Sequence, residues 1–172
     1  MNTELQCQEV FMQEIVRIDF MPINELVVSI PSGVPNLTQA SVTLANSVAI
    51  TDDGLKDKSF LSLNLTGDST ADAEMQPSLT HKVTEKRETA GVVRTHTLQV
   101  PIEAGFEAVR EKESPLLNQD FYILLKDMED NRYLVYSLPG SCKFAFDDQK
   151  GQTSTMTLKV TVESLSGLIK IL

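Results

Sequence analysis

The segment STMTLKVTVES, residues 154–164, alternates with a period of two. Met156, Leu158, Val160 and Val162 fall on one side, and Thr155, Thr157, Lys159, Thr161 and Glu163 on the other. Successive side chains of an extended chain point to opposite faces, so this pattern dictates a strand with one dry and one wet face. Immediately before it, KFAFDD sets Phe144 and Phe146 on a common face, and Gly151 in DQKGQ suits a hairpin connection. The two segments are expected to pair antiparallel.

The same rhythm runs upstream. FYILLKD and RYLVYSLPG flank Met128, Glu129, Asp130 and Asn131, a short polar connection of a second hairpin, after which Pro139 and Gly140 redirect the chain. SLTHKVTEKRETAGVVRTHTLQVPI reads as two extended stretches around Glu88 to Gly91, and FLSLNLTG sets Leu61, Leu63 and Leu65 on one side of a strand. EIVRIDF and ELVVSI are strands separated by MPIN, and SVTLANSVAI favours a strand through its β-branched residues. One stretch breaks the pattern. In PIEAGFEAVREKESP, Ile102, Phe106 and Val109 fall at i, i+4 and i+7, which predicts a helix between Pro101 and Pro115. Gly105 weakens that helix and marks close approach to the sheet. The expected fold is therefore all-β and mainly antiparallel, a β-sandwich or small barrel with one α-helix near residues 102–113. It forms a single domain, 1–172, with an N-terminal arm at 1–12 and a long acidic loop, TGDSTADAEMQPS, at 66–78.

With 24 acidic against 15 basic residues the chain carries a net charge of -9, which repels phosphate backbones. The densest basic stretch, Lys82 to Arg94, also holds Glu85 and Glu88 and reads as a solvated strand pair, so no specific nucleic-acid binding is expected. The opening MNTELQCQEVFMQE has acids and amides where a signal peptide carries a basic start and an apolar run, and no segment has the length of a membrane span. Synthesis in the cytoplasm and no membrane partner are the expectations. Cys7 and Cys142 match no metal spacing, and a reducing compartment disfavours a disulfide between them.

Residues able to do chemistry are few. The only histidines, His81 and His96, fall in the strand pair around Gly91 at offsets that set them near each other, and a cross-strand polar pair fits better than a catalytic base, since no G-x-S-x-G elbow accompanies them. Counted from Asp127 as a calcium loop, the sixth place is Arg132 where a glycine is required. Asp127, Glu129, Asp130 and Asn131 then read as solvated turn residues. Asp52 and Asp53 before Gly54, like Asp147 and Asp148 before Gly151, read as turns. No phosphate loop, dinucleotide fingerprint or H-E-x-x-H helix is present, and the expectation is a non-enzyme with no metal or cofactor.

The run NQDFYILLKDMEDNRYLVYSLPGSCKFAFDDQKGQTSTMTLKVTVESLSGL resembles the C-terminal part of prophage-encoded structural proteins, with RYLVYSLPG and FAFDDQKGQ as its best-matching pieces. The helix between two hairpins is similar to the phage tail-tube class and to the tube proteins of type VI secretion. That resemblance implies a homo-oligomer, a ring or tube whose sheets join side by side, with other tail proteins as partners and the virion or prophage particle as its place. It implies an interface loop at 66–78, with Asp68, Asp72, Glu74 and Met75, that reaches the next ring. It further implies that the N-terminal leader or the tail SGLIKIL, with Leu168, Ile169, Ile171 and Leu172, meets neighbours. That apolar tail is a liability on a free surface, and the alternative is that it forms the last core strand. Two other functions stay open: a β-sandwich module that binds carbohydrate or another small ligand, and an enzyme whose site in a barrel mouth gathers carboxylates with Tyr122, Tyr133 or Tyr136.

Overall fold

A computed structural model describes residues 15–29, 39–45, 48–65, 69–89, 91–149 and 155–172. In chain order the strands are β1 (Ile15–Pro22), β2 (Leu26–Ser29), β3 (Gln39–Leu44), β4 (Leu61–Asn64), β5 (Ala73–Met75), β6 (Thr80–Glu88), β7 (Gly91–Ala104), β8 (Phe121–Asp127), β9 (Arg132–Val135), β10 (Lys143–Gln149), β11 (Thr155–Ser164) and β12 (Ile169–Ile171). Helices α1 (Asp52–Lys58), α2 (Phe106–Glu111) and α3 (Glu113–Asn118) interrupt them. The strands form one curled, mixed sheet in the order β10-β11-β7-β5-β4-β1-β8-β9-β12-β3-β2, with β6 lying on β7 beside β5. Only β4 with β5 and β12 with β3 run parallel among the described pairs.

The central strands are covered on both faces, which is why FYILLKD is apolar almost throughout. Phe121, Ile123 and Leu125 enter one core with Ile18, Phe20, Leu63, Leu158 and Val160. Tyr122 and Leu124, pointing the other way, enter a second core with Met21, Leu26, Val42, Leu44, Leu134 and Leu55 of α1. Phe20 anchors the first core between Phe121 and Phe144, edge-on to both at centroid distances of 5.5 and 6.1 Å. Burial of one such ring contributes about 2–3 kcal/mol. On β11 the dry face is as the alternation requires: Met156, Leu158, Val160 and Val162 are buried while Lys159 and Glu163 are exposed.

The hairpins β6–β7, β8–β9 and β10–β11 all form. The helix expected at 102–113 is shifted and broken. Residues 102–104 end β7, Gly105 turns the chain at φ 87°, and α2 starts at Phe106. A Cβ at Gly105 would lie 2.8 Å from Cβ of Ala73, so the close approach to the sheet is real. Pro115 lies inside α3, where it has no N–H to offer and crowds the carbonyl four residues back, so the helix splits at Lys112. Ile102, Phe106 and Val109 still meet one core, the first from a strand and the others from a helix.

Asp52 and Asp53 begin α1, a helix where a turn was expected. Thr51 caps it by accepting from the N–H of Gly54 at 3.1 Å, and Asp52, Asp53, Lys56 and Lys58 complement its dipole. The connection between β10 and β11 at Gly151 lies outside the described residues, as does the arm at 1–12. No helix among the described residues is long and apolar enough to cross a membrane.

Candidate functional site

Strands β10, β11, β7 and β6 form a run of antiparallel ladders. Among the described residues neither the outer margin of β6 nor that of β10 joins another strand, and α3 packs close to β10. Two bonds fix which backbone groups face out. The carbonyl of Pro101 accepts from Gln76 N–H at 2.9 Å on the β5 and β6 side, and that of Glu163 accepts from Leu138 N–H at 2.7 Å on the β10 side. Because donors and acceptors alternate along antiparallel strands, His81, Val83, Glu85 and Arg87 of β6 turn their N–H and C=O outward, as do Phe144 and Phe146 of β10.

The side chains divide by the same alternation. Thr80, Lys82, Thr84, Lys86 and Glu88 are exposed on one face, continued by Gln99, Lys159, Lys143 and Ala145. His81 and Val83 are half-buried on the other. The basic stretch is thereby separated: Lys82 and Lys86 lie on the bare face, while Arg94 bonds Glu85 at 3.3 Å on the opposite one.

At the root of this hairpin the two histidines stack, with ring centroids 5.1 Å apart. They are diagonal rather than directly opposite, since His81 pairs with Leu98 and Val83 with His96. His96 Nε2 lies 2.9 Å from the Ser166 carbonyl, which can only accept, so that nitrogen carries the proton. Its Nδ1 then accepts from His81 Nε2 at 2.9 Å. Burial, reinforced by His96, pushes His81 down to about 3. Burial also lowers His96, against the bond to Ser166. Arg94 donates to the Leu165 carbonyl at 2.8 Å, so β7 clasps the corner before β12 with two side chains.

A second polar cluster lies on the face of β1 and β8 covered by α1. Arg17 and Asp19, two residues apart on a buried strand, form a two-pronged ion pair at 2.8 and 3.0 Å. Arg17 also donates to Thr70, and Asp19 accepts from Ser62 at 2.6 Å. Burial nevertheless pushes the Asp19 carboxyl above its ordinary value, against Arg17 and Ser62. Asp52 receives Lys126 at 2.9 Å and Arg132. Burial raises its carboxyl, but these bonds outweigh burial and hold it below the ordinary value. A cleft of about 270 Å³ opens beside the cluster between Val16, Asn64, Met128 and Asp130. Of its charged residues, Arg17, Lys126, Asp52 and Asp130 are paired with one another, an arrangement that fastens α1 to the sheet. The hint in the sequence was a pair of opposite charges two apart in an otherwise apolar strand.

Asp127 is not solvated. It is 3% exposed, and its carboxylate accepts from the N–H groups of Glu129 and Asn131, both at 2.9 Å, which holds the β8–β9 turn. Asp130 sits at φ 65° with an exposed side chain. Cys142 is a half-buried thiol bonded to the backbone of Phe121, and burial pushes it up. Tyr122 and Tyr136 stack at 5.2 Å beside the second core, Tyr133 packs on the first, and none of the three lines the cleft.

Of the expected interface residues, Asp68 lies outside the described residues. Asp72 accepts from the Ser62 N–H at 2.9 Å, while Glu74 and the 1%-exposed Met75 belong to β5, which joins β4 and β7. Within the 66–78 segment, residues 72–76 are thus bonded to the sheet. Leu168 packs on the first core, Ile169 is fully buried, Ile171 packs on the second core and Leu172 is exposed. The C-terminal run is an internal strand, β12, between β9 and β3. No family model, curated protein or solved structure matches the chain.

Proposed function

We propose that the chain is a non-enzymatic structural protein of a phage or prophage tail whose copies join into rings or a tube. The observation that carries this reading is the run β10-β11-β7-β6, which pairs with no further strand at either outer margin among the described residues. An exposed strand edge offers unpaired N–H and C=O groups to another chain. The edge strands also run in opposite directions, so copies related by rotation about one axis would present β6 to β10 antiparallel and continue the sheet from subunit to subunit. The resemblance of the C-terminal hairpins to tail proteins points the same way, and implies other tail proteins as partners and the particle as location.

The test is sedimentation velocity with negative-stain microscopy over a concentration series. Rings or tubes are expected from the wild-type protein. Arg87→Pro removes an outward N–H without touching the ladder to β7, and should abolish assembly while leaving a folded monomer. A wild-type protein that stays monomeric at the highest attainable concentration overturns the reading.

A further inference from the structure

Resting on that assembly reading, we propose that β6 of one copy pairs with β10 of a second copy in the antiparallel register that sets Glu88 opposite Lys143. The backbone limits the choices first. Outward groups belong to odd-numbered residues of β6 and to even-numbered residues of β10, so Arg87 must face Phe144 and Glu85 must face Phe146, or the whole ladder must slide by two. A slide of one residue would mate outward groups with inward ones and turn each strand's faces over. In the permitted registers Lys82, Thr84 and Lys86 continue the bare face of Lys143 and Ala145, all of them exposed.

Charge then selects among these. With Glu88 opposite Lys143 the ladder extends to Lys82 opposite Gln149 and uses all of β10. Sliding by two in one direction puts Lys86 against Lys143, a like-charge pair. Sliding the other way leaves Lys143 beyond the end of β6 and shortens the ladder. Among the described residues Glu88 holds Lys86, at 3.3 Å between two exposed side chains, a contact easily exchanged. A two-fold pairing of β6 with itself along its full length is disfavoured, because it sets Lys82 against Lys86 twice.

The experiment compares the critical concentration for assembly of wild type, Glu88→Lys, Lys143→Glu and the double reversal at low ionic strength. Each single reversal should raise it roughly two- to five-fold per contact, the scale of a cross-strand charge pair, and the double reversal should restore it. High salt should flatten all the differences. If wild type assembles and Arg87→Pro blocks it, yet the double reversal is no better than the singles, the register is wrong while assembly through the edge stands. If no protein in the set assembles, the assembly reading fails and takes the register with it.

Discussion

His81 Nε2 lies 2.9 Å from His96 Nδ1, and the second nitrogen of His96 lies at the same distance from the Ser166 carbonyl, so both rings are neutral links in one chain of donors. His81 has its ordinary value of 6.5 lowered to about 3 by burial and by His96. A base whose folded value is depressed contributes stability that is complete above its unfolded value and is lost as the pH falls toward the folded one. Stability is therefore expected to decline from about pH 6.5 towards pH 3, with a slope of at most about 1.4 kcal/mol per pH unit for this group. Urea midpoints measured across that window, and repeated with His81→Gln, should show a shallower acid slope in the variant. Nitrogen-detected imidazole spectra at neutral pH should show the Nε2–H form of His96; an Nδ1–H form would refute the donor chain.

Asp52 joins three elements through side chains far apart in sequence. Lys126 of β8 and Arg132 of β9 both donate to it from above α1. Asp52→Ala takes an acceptor from Arg132, leaves Lys126 only the exposed Asp130 carboxylate, and removes an acid from the first turn of the helix, so a loss of about 1–3 kcal/mol is expected in equilibrium unfolding. Because the bonds hold this carboxyl below its ordinary value of 3.8, its contribution is present above that value and is lost as pH falls through the lower, folded one. The Asp52→Ala deficit should therefore persist at mildly acidic pH, where the histidine effect has already begun.

Gly105 ends β7 and starts α2 at φ 87°, with Ala73 where a side chain would go. Gly105→Ala meets both a strained backbone and a contact of 2.8 Å to Ala73 Cβ, neither of which a flexible side chain can relieve. A destabilisation of about 1–3 kcal/mol is expected from thermal or denaturant unfolding. Pairing with Ala73→Gly should recover little, because the Ala73 Cα at 2.9 Å and the Asp72 carbonyl at 3.1 Å stay in the way and the strain at φ 87° remains.

The fold was legible where one face is wet. Period-two alternation identified β10 and β11, and the polar breaks at Met128 to Asn131 and Glu88 to Gly91 located two hairpins, because turn residues and alternation are local properties. The helices differ from the expected one for a tertiary reason. Ile102 keeps its place in the apolar stripe whether it ends a strand or starts a helix, and only the left-handed turn at Gly105 decides. α1 was hidden because Asp-Asp-Gly suits a turn and a first helical turn equally, and Leu55 is its only buried residue. Of the candidate site, the histidine pair was visible from spacing. The open margins of β6 and β10 were not, since strand order is set by non-local pairing. Asp127 reads as a wet residue in the sequence because a chain of acids looks the same whether a carboxylate faces water or folds back on its own turn.

Arg17 and Asp19 test what a buried ion pair contributes to this sheet. Both side chains are nearly inaccessible, at 2% and 1% exposure; Arg17 also reaches Thr70 and Asp52, and Asp19 also accepts from Ser62. Arg17→Met alone strands the Asp19 carboxylate in a site with little access to water and should cost about 3–5 kcal/mol, while Asp19→Leu leaves Arg17 the Asp52 carboxylate at 3.7 Å and should cost less. Replacing both removes two desolvated charges and supplies apolar contact to the neighbouring second core, so Arg17→Met with Asp19→Leu should cost markedly less than the sum. Asp52 loses the Arg17 guanidinium at 3.7 Å, which keeps the double variant from full recovery, while Ser62 retains Ser59 as a partner at 2.6 Å. Unfolding free energies of the four proteins give the coupling directly. Additive losses would mean that each charge is held by the surrounding hydroxyls and carbonyls rather than by the other.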